Sequence, residues 1–265
     1  MLTLRDIGKT FLKGTPNQMT AINRLSLEVR EGDFITVIGS NGAGKSTLLR
    51  IISGLIEPDA GSVELDGRDI TRLPVWRRAA VVGRIAQDPQ ESTCAVMTIA
   101  ENLAMAAKRG QRRGLRRAVT PALAERFRAA LAQVGLGLEG RLDVRIGTLS
   151  GGQRQAVALL MATLARPRLL LLDEHLANLD PKTGDAVMQM TARLIESSHL
   201  ATIMVTHNMQ EAIRWGNRLV MMHEGRIILD VEGSAKAALT VAGLVDKFHE
   251  ASRGDLIDDR MLLTS

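Results

Sequence analysis

Tyrosine is absent from the 265 residues, and four phenylalanines and two tryptophans are the only aromatics. That leaves few side chains able to stack on the bases of a nucleic acid. Cys94 is the single cysteine, which excludes an internal disulfide and a cysteine-rich metal site. A small buried or half-buried side chain is its expected role. Long apolar runs are missing too: the longest uncharged one, Ala156 to Ala165, has ten residues, against roughly 20 for a membrane-spanning helix. The opening Met1-Leu2-Thr3-Leu4-Arg5-Asp6 is charged early and holds no apolar block of signal-peptide length. A cytosolic location is therefore expected.

Of the charges present, 34 are Lys or Arg and 29 Asp or Glu, a formal net of +5. Lys108, Arg109, Arg112, Arg113, Arg116 and Arg117 gather between Ala107 and Ala118 with no acid among them. Gly110 and Gly114 interrupt the cluster and no aromatic accompanies it. A solvated loop or fraying helix end is the expectation, with anionic lipid headgroups as the second reading. A nucleic-acid partner is not expected.

Alternating Leu25, Leu27 and Val29 read as a half-buried strand that leads through Glu31-Gly32-Asp33 into the apolar strand Phe34 to Ile38. Ser62 to Leu65 and Val81 to Ile85 read as further strands, with turns at residues 57–61 and at Asp66-Gly67. The pattern then becomes helical over Thr98 to Ala107, Pro121 to Val134 and Gly152 to Ala165. Strands return at Leu169 to Leu172 and Ala201 to Val205, with a helix from Pro181 to about Ser197 between them. A short helix from Asn208 follows. Arg218 to Met222 and Arg226 to Val231 then form a hairpin turned by Glu224-Gly225. Buried strands alternating with helices imply an α/β fold with a mostly parallel sheet, here interrupted by a helical lobe. Residues from Gly233 onward read as a terminal helical extension.

Between the strand at Phe34 and a helical pattern lies Gly39-Ser40-Asn41-Gly42-Ala43-Gly44-Lys45-Ser46-Thr47. Glycines at this spacing let the backbone curl until several N–H groups face one anion, and the following helix adds the positive end of its dipole. Lys45 can reach the terminal phosphates of a nucleoside triphosphate, and Ser46 can ligate Mg²⁺. A second element is the run of four leucines ending in Asp173-Glu174. A buried strand delivers such carboxylates to the edge where open α/β sheets bind ligands. Asp173 suits a Mg²⁺ bridging two phosphates, and Glu174 can orient and polarise the attacking water. Alone, such a run is an ordinary strand end; the phosphate loop upstream changes its meaning.

Leu149-Ser150-Gly151-Gly152-Gln153 makes another anion-ready helix start, which one nucleotide in one loop does not need. Together with the two elements above, it resembles the signature of ATP-binding cassette (ABC) ATPases. The likeness runs from Phe11 to about Val231. It takes in Gln87, the loop Ala177-Asn178-Leu179-Asp180-Pro181, and His207 in Val205-Thr206-His207-Asn208. Isolated, Gln87 is a loop amide and His207 a strand-end histidine; in this ordered set they acquire roles.

The resemblance implies an ABC-type P-loop NTPase fold. A RecA-like, mostly parallel core with an antiparallel β-subdomain takes residues 1–87 and 166–232, a helical signature subdomain is inserted at 88–165, and 233–265 is an extension. It implies ATP as substrate and Mg²⁺ as cofactor. Gly39, Ser40, Asn41, Gly42, Ala43, Gly44, Lys45, Ser46 and Thr47 would cradle the phosphates, and Ser46, Gln87 and Asp173 would hold the metal. Glu174 would be the base, with His207 on the γ-phosphate and Lys45 and Gln87 completing the catalytic set. Phe11 stands where the family places an adenine-stacking aromatic, with a role in the core as the alternative. Asp180 falls in a loop of the same site. Ser150, Gly151, Gly152 and Gln153 would face the nucleotide of a second subunit, so that two chains sandwich two ATP molecules head to tail.

Further partners implied are integral membrane permease subunits, docking near Gln87-Asp88-Pro89-Gln90 and the helical lobe, and indirectly an extracytoplasmic solute-binding protein. The chain would be peripheral, at the cytoplasmic face of the inner membrane. Its Asp-Glu-His, Leu-Asp-Pro-Lys-Thr-Gly and Thr-His-Asn-Met stretches resemble a subgroup of bacterial importers of the tryptophan/tyrosine type, hence an amino-acid-like solute. His175 departs from the proline common in the family and reads as structural; Leu176 replaces a frequent small hydroxyl residue. A soluble ABC ATPase of translation or DNA repair is the alternative. Such proteins usually carry paired cassettes, long coiled coils or zinc-binding cysteines, none of which is seen here. A regulatory module that binds ATP without turnover is disfavoured by Glu174, Gln87 and His207 all being present.

Overall fold

The computed structural model describes residues 1–111, 114 and 117–252. In chain order the elements begin with strands β1 (Leu2–Phe11), β2 (Met19–Val29) and β3 (Phe34–Gly39), helix α1 (Lys45–Ser53), and strands β4 (Ala60–Leu65) and β5 (Arg68–Asp69). Then come α2 (Val75–Arg78), β6 (Val82–Ile85), α3 (Pro89–Ser92), α4 (Ile99–Ala107), α5 (Pro121–Val134) and α6 (Gly151–Thr163). The remainder is β7 (Leu169–Asp173), α7 (Pro181–Ser198), β8 (Ala201–Val205), α8 (Met209–Arg214), β9 (Arg218–His223), β10 (Arg226–Glu232), α9 (Gly233–Ala237) and α10 (Val241–Ser252). The chain divides into two compact units, one of Met1–Val75 with the chain from His199 onward, the other of Trp76–Ser198.

In the first unit an antiparallel sheet runs β2-β1-β4-β5. Its strand β1 is the element that the sequence pattern hid. Leu2 and Leu4 alternate inward against Leu27 and Val29, but the register with β2 shifts between Leu4 and Ile7. Asp6 takes a φ of 48° at that bulge, so the period of two that marks a strand is broken after two beats. The same unit holds β10, β9, β3 and β8 side by side in that order. β3 runs parallel to both β8 and β9, while β10 returns antiparallel to β9. Flanked on both sides, β3 is buried at every position, and its one polar side chain, Thr36, donates to the carbonyl of Ala212 at 2.9 Å. Helix α1 buries Leu48, Leu49, Ile51 and Ile52, each side chain contributing about 1.5–3 kcal/mol. Gly54, in the left-handed region at φ 81°, ends it.

The terminal extension packs against this unit. Leu244 and Phe248 of α10 join Ile38, Met209, Ala212, Leu219 and Met221 in one apolar cluster. Lys236 of α9 is buried and donates to the carbonyls of Trp215 and Gly216, at the end of α8. Burial pushes its ammonium down to about 8.

The second unit pairs β6 with β7 in parallel, Val82 opposite Leu169 and Ile85 opposite Leu172. Helix α6 is buried along nearly its whole length from Gly152 to Ala162. Thr98 and Glu101 form a capping box at α4, and Thr120 caps α5 ahead of Pro121. The fully buried Asn102 accepts from Cys94 N at 2.8 Å and donates to Cys94 O and Thr98 O. Cys94 is half-buried, as expected. Of the basic cluster, Lys108 and Arg117 are exposed and burial lowers the pKa of Arg109; Arg112, Arg113 and Arg116 lie outside the described residues. Among the described residues no helix is long and apolar enough to cross a membrane.

Candidate nucleotide site

The phosphate loop leaves β3 and enters α1 through Gly44, whose φ is 96°. A Cβ there would sit 2.3 Å from the carbonyl oxygen of Ala21, so only glycine fits in both conformation and space. Gly44 occupies the cap position of α1 and brings no side chain to it, and no acid lies in the first turn. The partial positive charge of this helix end is thus left for a ligand's charge. Lys45 is buried, and its ammonium donates to the carbonyls of Gly39 at 2.7 Å and Ser40 at 2.9 Å. These bonds curl the loop over its own lysine. Ala43 N donates to Ser40 O, Gly225 N braces Ala43 O, and Asn41 and Gly42 stand exposed at the tip.

Phe11 ends β1, half-buried, in register with Met19. His207 sits half-buried in the short link from β8 to α8. Its neighbours are tightly held: Asn208 Oδ1 accepts from Gln210 N and Glu211 N, and Thr206 Oγ1 donates to Glu211 at 2.9 Å. All these residues belong to the first unit.

Gln87, Ser150 to Gln153, Asp173, Glu174 and Asp180 belong to the second. Asp173 closes β7 with 5% of its surface exposed, and the Arg84 guanidinium of β6 comes within 3.8 Å of it. Arg84 also lies 3.6 Å from Glu91, while its Nε is buried without a partner. Glu174 takes a left-handed φ of 45°, unusual for a side chain longer than asparagine, and its carboxylate accepts from Gln87 Nε2 at 3.1 Å. The proposed base and the proposed metal-ligating amide are therefore in contact. His175 is buried with Nε2 unpartnered. Burial pulls its pKa down to about 4, so the ring is neutral at pH 7.

At the start of α6, Ser150 Oγ accepts from Gln153 N and Gln153 Oε1 accepts from Ser150 N, both at 3.3 Å. Gly152 faces α7 so closely that a Cβ would meet Thr183 Cγ2 at 2.2 Å. Asp180 in turn caps α7, accepting from Thr183 N at 3.0 Å, and the bonds from Thr183 hold its carboxyl below the usual range. The two helix starts carrying the signature and the Asp180 loop thus touch within one unit.

Taken singly, the chemistry of these side chains suits Mg²⁺: in the second unit the Asp173 carboxylate and the Gln87 amide oxygen, and in the first the Ser46 hydroxyl, are hard oxygen donors of the kind Mg²⁺ takes together with phosphate and water oxygens. Among the described residues no group of three or more His, Cys, Asp or Glu gathers. Sequence reasoning missed Arg84. Its signal was available: an arginine within the short apolar run Val82 to Ile85, three residues before Gln87.

Comparison with known proteins finds a family model described as ABC transporter that matches residues 22–177. A tyrosine transport ATP-binding protein of Clostridioides difficile is 42% identical over 95% of this chain and 100% of its own length. A spermidine/putrescine import ATP-binding protein of Thermobifida fusca is 36% identical over 85% of this chain and 56% of its own length. A sulfate/thiosulfate import ATP-binding protein of Chromobacterium violaceum is 40% identical over 78% of the chain and 53% of its own length. The chain thus spans about half of the latter two relatives. Among solved structures, a dimeric ATP-binding cassette in a post-hydrolysis state with ADP and Pi aligns with a TM-score of 0.75 at 28% identity, covering 88% of this chain and 98% of that one.

Proposed function

This chain belongs to the ABC transporter family as one of its ATP-binding, ATP-hydrolysing subunits, and from that premise we propose that it drives an importer of a small amino-acid-like solute. The α/β cassette fold expected from the sequence is the fold observed, and the relatives described above are all transport subunits, so the soluble translation or repair alternative is not favoured. For an amino-acid-like cargo the support is the tyrosine transport relative, which the chain matches over that protein's full length.

On this reading two copies pair head to tail beneath separate permease subunits at the cytoplasmic face of the inner membrane, with a solute-binding protein on the far side. The domain assignment follows the same reading: cassette residues 1–232, with 88–165 as the signature subdomain, then the extension. The solved dimeric cassette supports the pairing. Gly39 to Thr47 cradle the phosphates, and Phe11 stacks on the adenine. By the family resemblance Ser46, Gln87 and Asp173 would hold Mg²⁺, and the ion would supply neutralisation of phosphate charge. Glu174 accepts the proton of the attacking water and His207 contacts the γ-phosphate, while Ser150 to Gln153 and Asp180 serve the nucleotide of the paired subunit.

The observation that carries this reading is the glycine-capped start of α1 with Lys45 buried beside it. Purified with its permease subunits, the chain is expected to bind adenine nucleotides and release phosphate from ATP only with Mg²⁺. Absence of both nucleotide affinity and phosphate release would overturn the assignment.

A further inference from the structure

We propose that Lys9, anchored by Asp59, is a positioning residue for the nucleobase: its ammonium backs one face of the Phe11 ring and readies the other to stack on adenine. This deepens the reading of Phe11 given above and rests on it.

Lys9 Nζ lies 5.7 Å from the centroid of the Phe11 ring, inside the range of about 6 Å over which a cation is drawn to an aromatic face. Residues two apart on a strand share a face, which brings Lys9 and Phe11 to the same side of β1. A lysine on a surface strand ordinarily wanders, because its long stem carries about 2 kcal/mol of rotamer entropy. Here it is pinned. Nζ donates to Asp59 Oδ1 at 3.1 Å, and only 16% of the Lys9 side chain is exposed.

Asp59 is itself fixed from three directions. Thr10 N donates to Oδ2 at 2.7 Å, Lys13 Nζ approaches the same oxygen at 3.1 Å, and Asp59 N donates to Gly8 O at 2.7 Å. The turn before β4 is therefore stitched to β1 on both sides of Lys9. The Thr10 amide, then Lys9 and Lys13, hold the Asp59 carboxyl down at about 2, so it is ionised throughout the physiological range. Leu12, next in the chain, and Met19, opposite Phe11 in the strand register, are exposed apolar residues, 63% and 53% exposed.

The chemistry follows from the ring's quadrupole. A cation on one face draws π-density toward itself and leaves the opposite face less negative. An electron-rich aminopurine stacks better on such a face, and a pinned ring gives up less freedom when the base arrives.

Isothermal titration of the full-length chain with ADP, and separately with inorganic tripolyphosphate, tests this. Lys9→Met is expected to weaken ADP about three- to fivefold, the size of an exposed cation–π contact, while leaving tripolyphosphate affinity unchanged. Lys9→Arg should retain wild-type affinity, and Asp59→Asn should show part of the Lys9→Met loss. On a Phe11→Ala background Lys9→Met should add no further loss, because the lysine acts through the ring. Equal weakening of both ligands, unchanged ADP binding in Lys9→Met, or an additive loss in the double variant would each overturn the proposal while leaving Phe11 as the base platform. Unchanged ADP binding in Phe11→Ala would instead remove that platform, and this inference with it.

Discussion

Two helices of this chain begin on small-residue turns that read alike in sequence and are finished in opposite ways. At α1 the cap residue is Gly44, with no side chain to offer and no acid in the first turn, and the buried Lys45 stands beside it. At α6 Ser150 and Gln153 satisfy each other's backbone N–H groups in a reciprocal box. The first start keeps its positive end for a ligand; the second is already closed by its own side chains. A helix N-terminus is thus an anion site only to the extent that its own residues leave it open. On the reading proposed above, a start that is self-capped, as at α6, would meet a nucleotide through side chains presented to another copy.

The comparison breaks most readily at α1. Lys45→Ala is expected to cut ATP turnover at least about 100-fold by removing charge stabilisation from the transferring phosphoryl group, and to weaken nucleotide binding as well. Glu174→Gln should lose turnover to a similar extent yet keep nucleotide affinity. Size-exclusion chromatography with ATP should then show a dimer; a monomer would refute the head-to-tail arrangement.

At α6 the expected effects are smaller. Ser150→Ala should lower turnover about tenfold and stability by about 1 kcal/mol through the lost cap. In mixed dimers the defect should reside in the site of the opposite subunit. A defect confined to the variant's own site would dissolve the contrast between the two starts.

Gly152→Ala sharpens the contrast further, since its Cβ would meet Thr183 Cγ2 at 2.2 Å. Overpacking of this kind costs about 1–3 kcal/mol, and Thr183→Ser, which deletes that methyl, should recover most of it in urea denaturation. Full recovery of turnover alongside would mean that the glycine serves only the packing of α6 on α7.

The smallest effect concerns pH and the exposed turn before β4. The Asp59 carboxyl is lowered from 3.8 to about 2, so its contribution to stability is complete above 3.8 and fades as pH falls through about 2. Asp59→Asn should flatten the pH dependence of the urea midpoint in that window alone. A parallel drop in both proteins would show that the contribution resides elsewhere.

Strands β3, β7 and β8 were legible because strands buried on both faces read as near-continuous apolar runs, broken here only by the small Thr36 and Thr202 and ended by Asp173. The helices were legible from their residue pattern, and Thr98, Ser150 and Asn208 prove to stand at the caps of the helices they precede. Strand β1 was not, since its bulge at Asp6 resets the alternation on which a strand is recognised. In the site, the phosphate loop could be read because glycine spacing is a backbone requirement written directly into residue type. The contacts of Gln87 with Glu174 and of Arg84 with Asp173 could not, because they join positions about 90 residues apart in sequence that only the pairing of β6 with β7 makes neighbours.

What the chain determined by composition and order alone was local: where backbone must curl, where helices start, which strands lie under cover, and which residue types stand ready for phosphate, metal and water. Tertiary structure decided the rest. It set an arginine against the buried Asp173, gave Glu174 an amide partner, buried the His175 ring so that it stays neutral, and pinned Lys9 over an aromatic ring. The reason is physical: a side chain's pKa, partner and orientation depend on what long-range packing brings within a few ångströms, and local propensity carries no record of that distance.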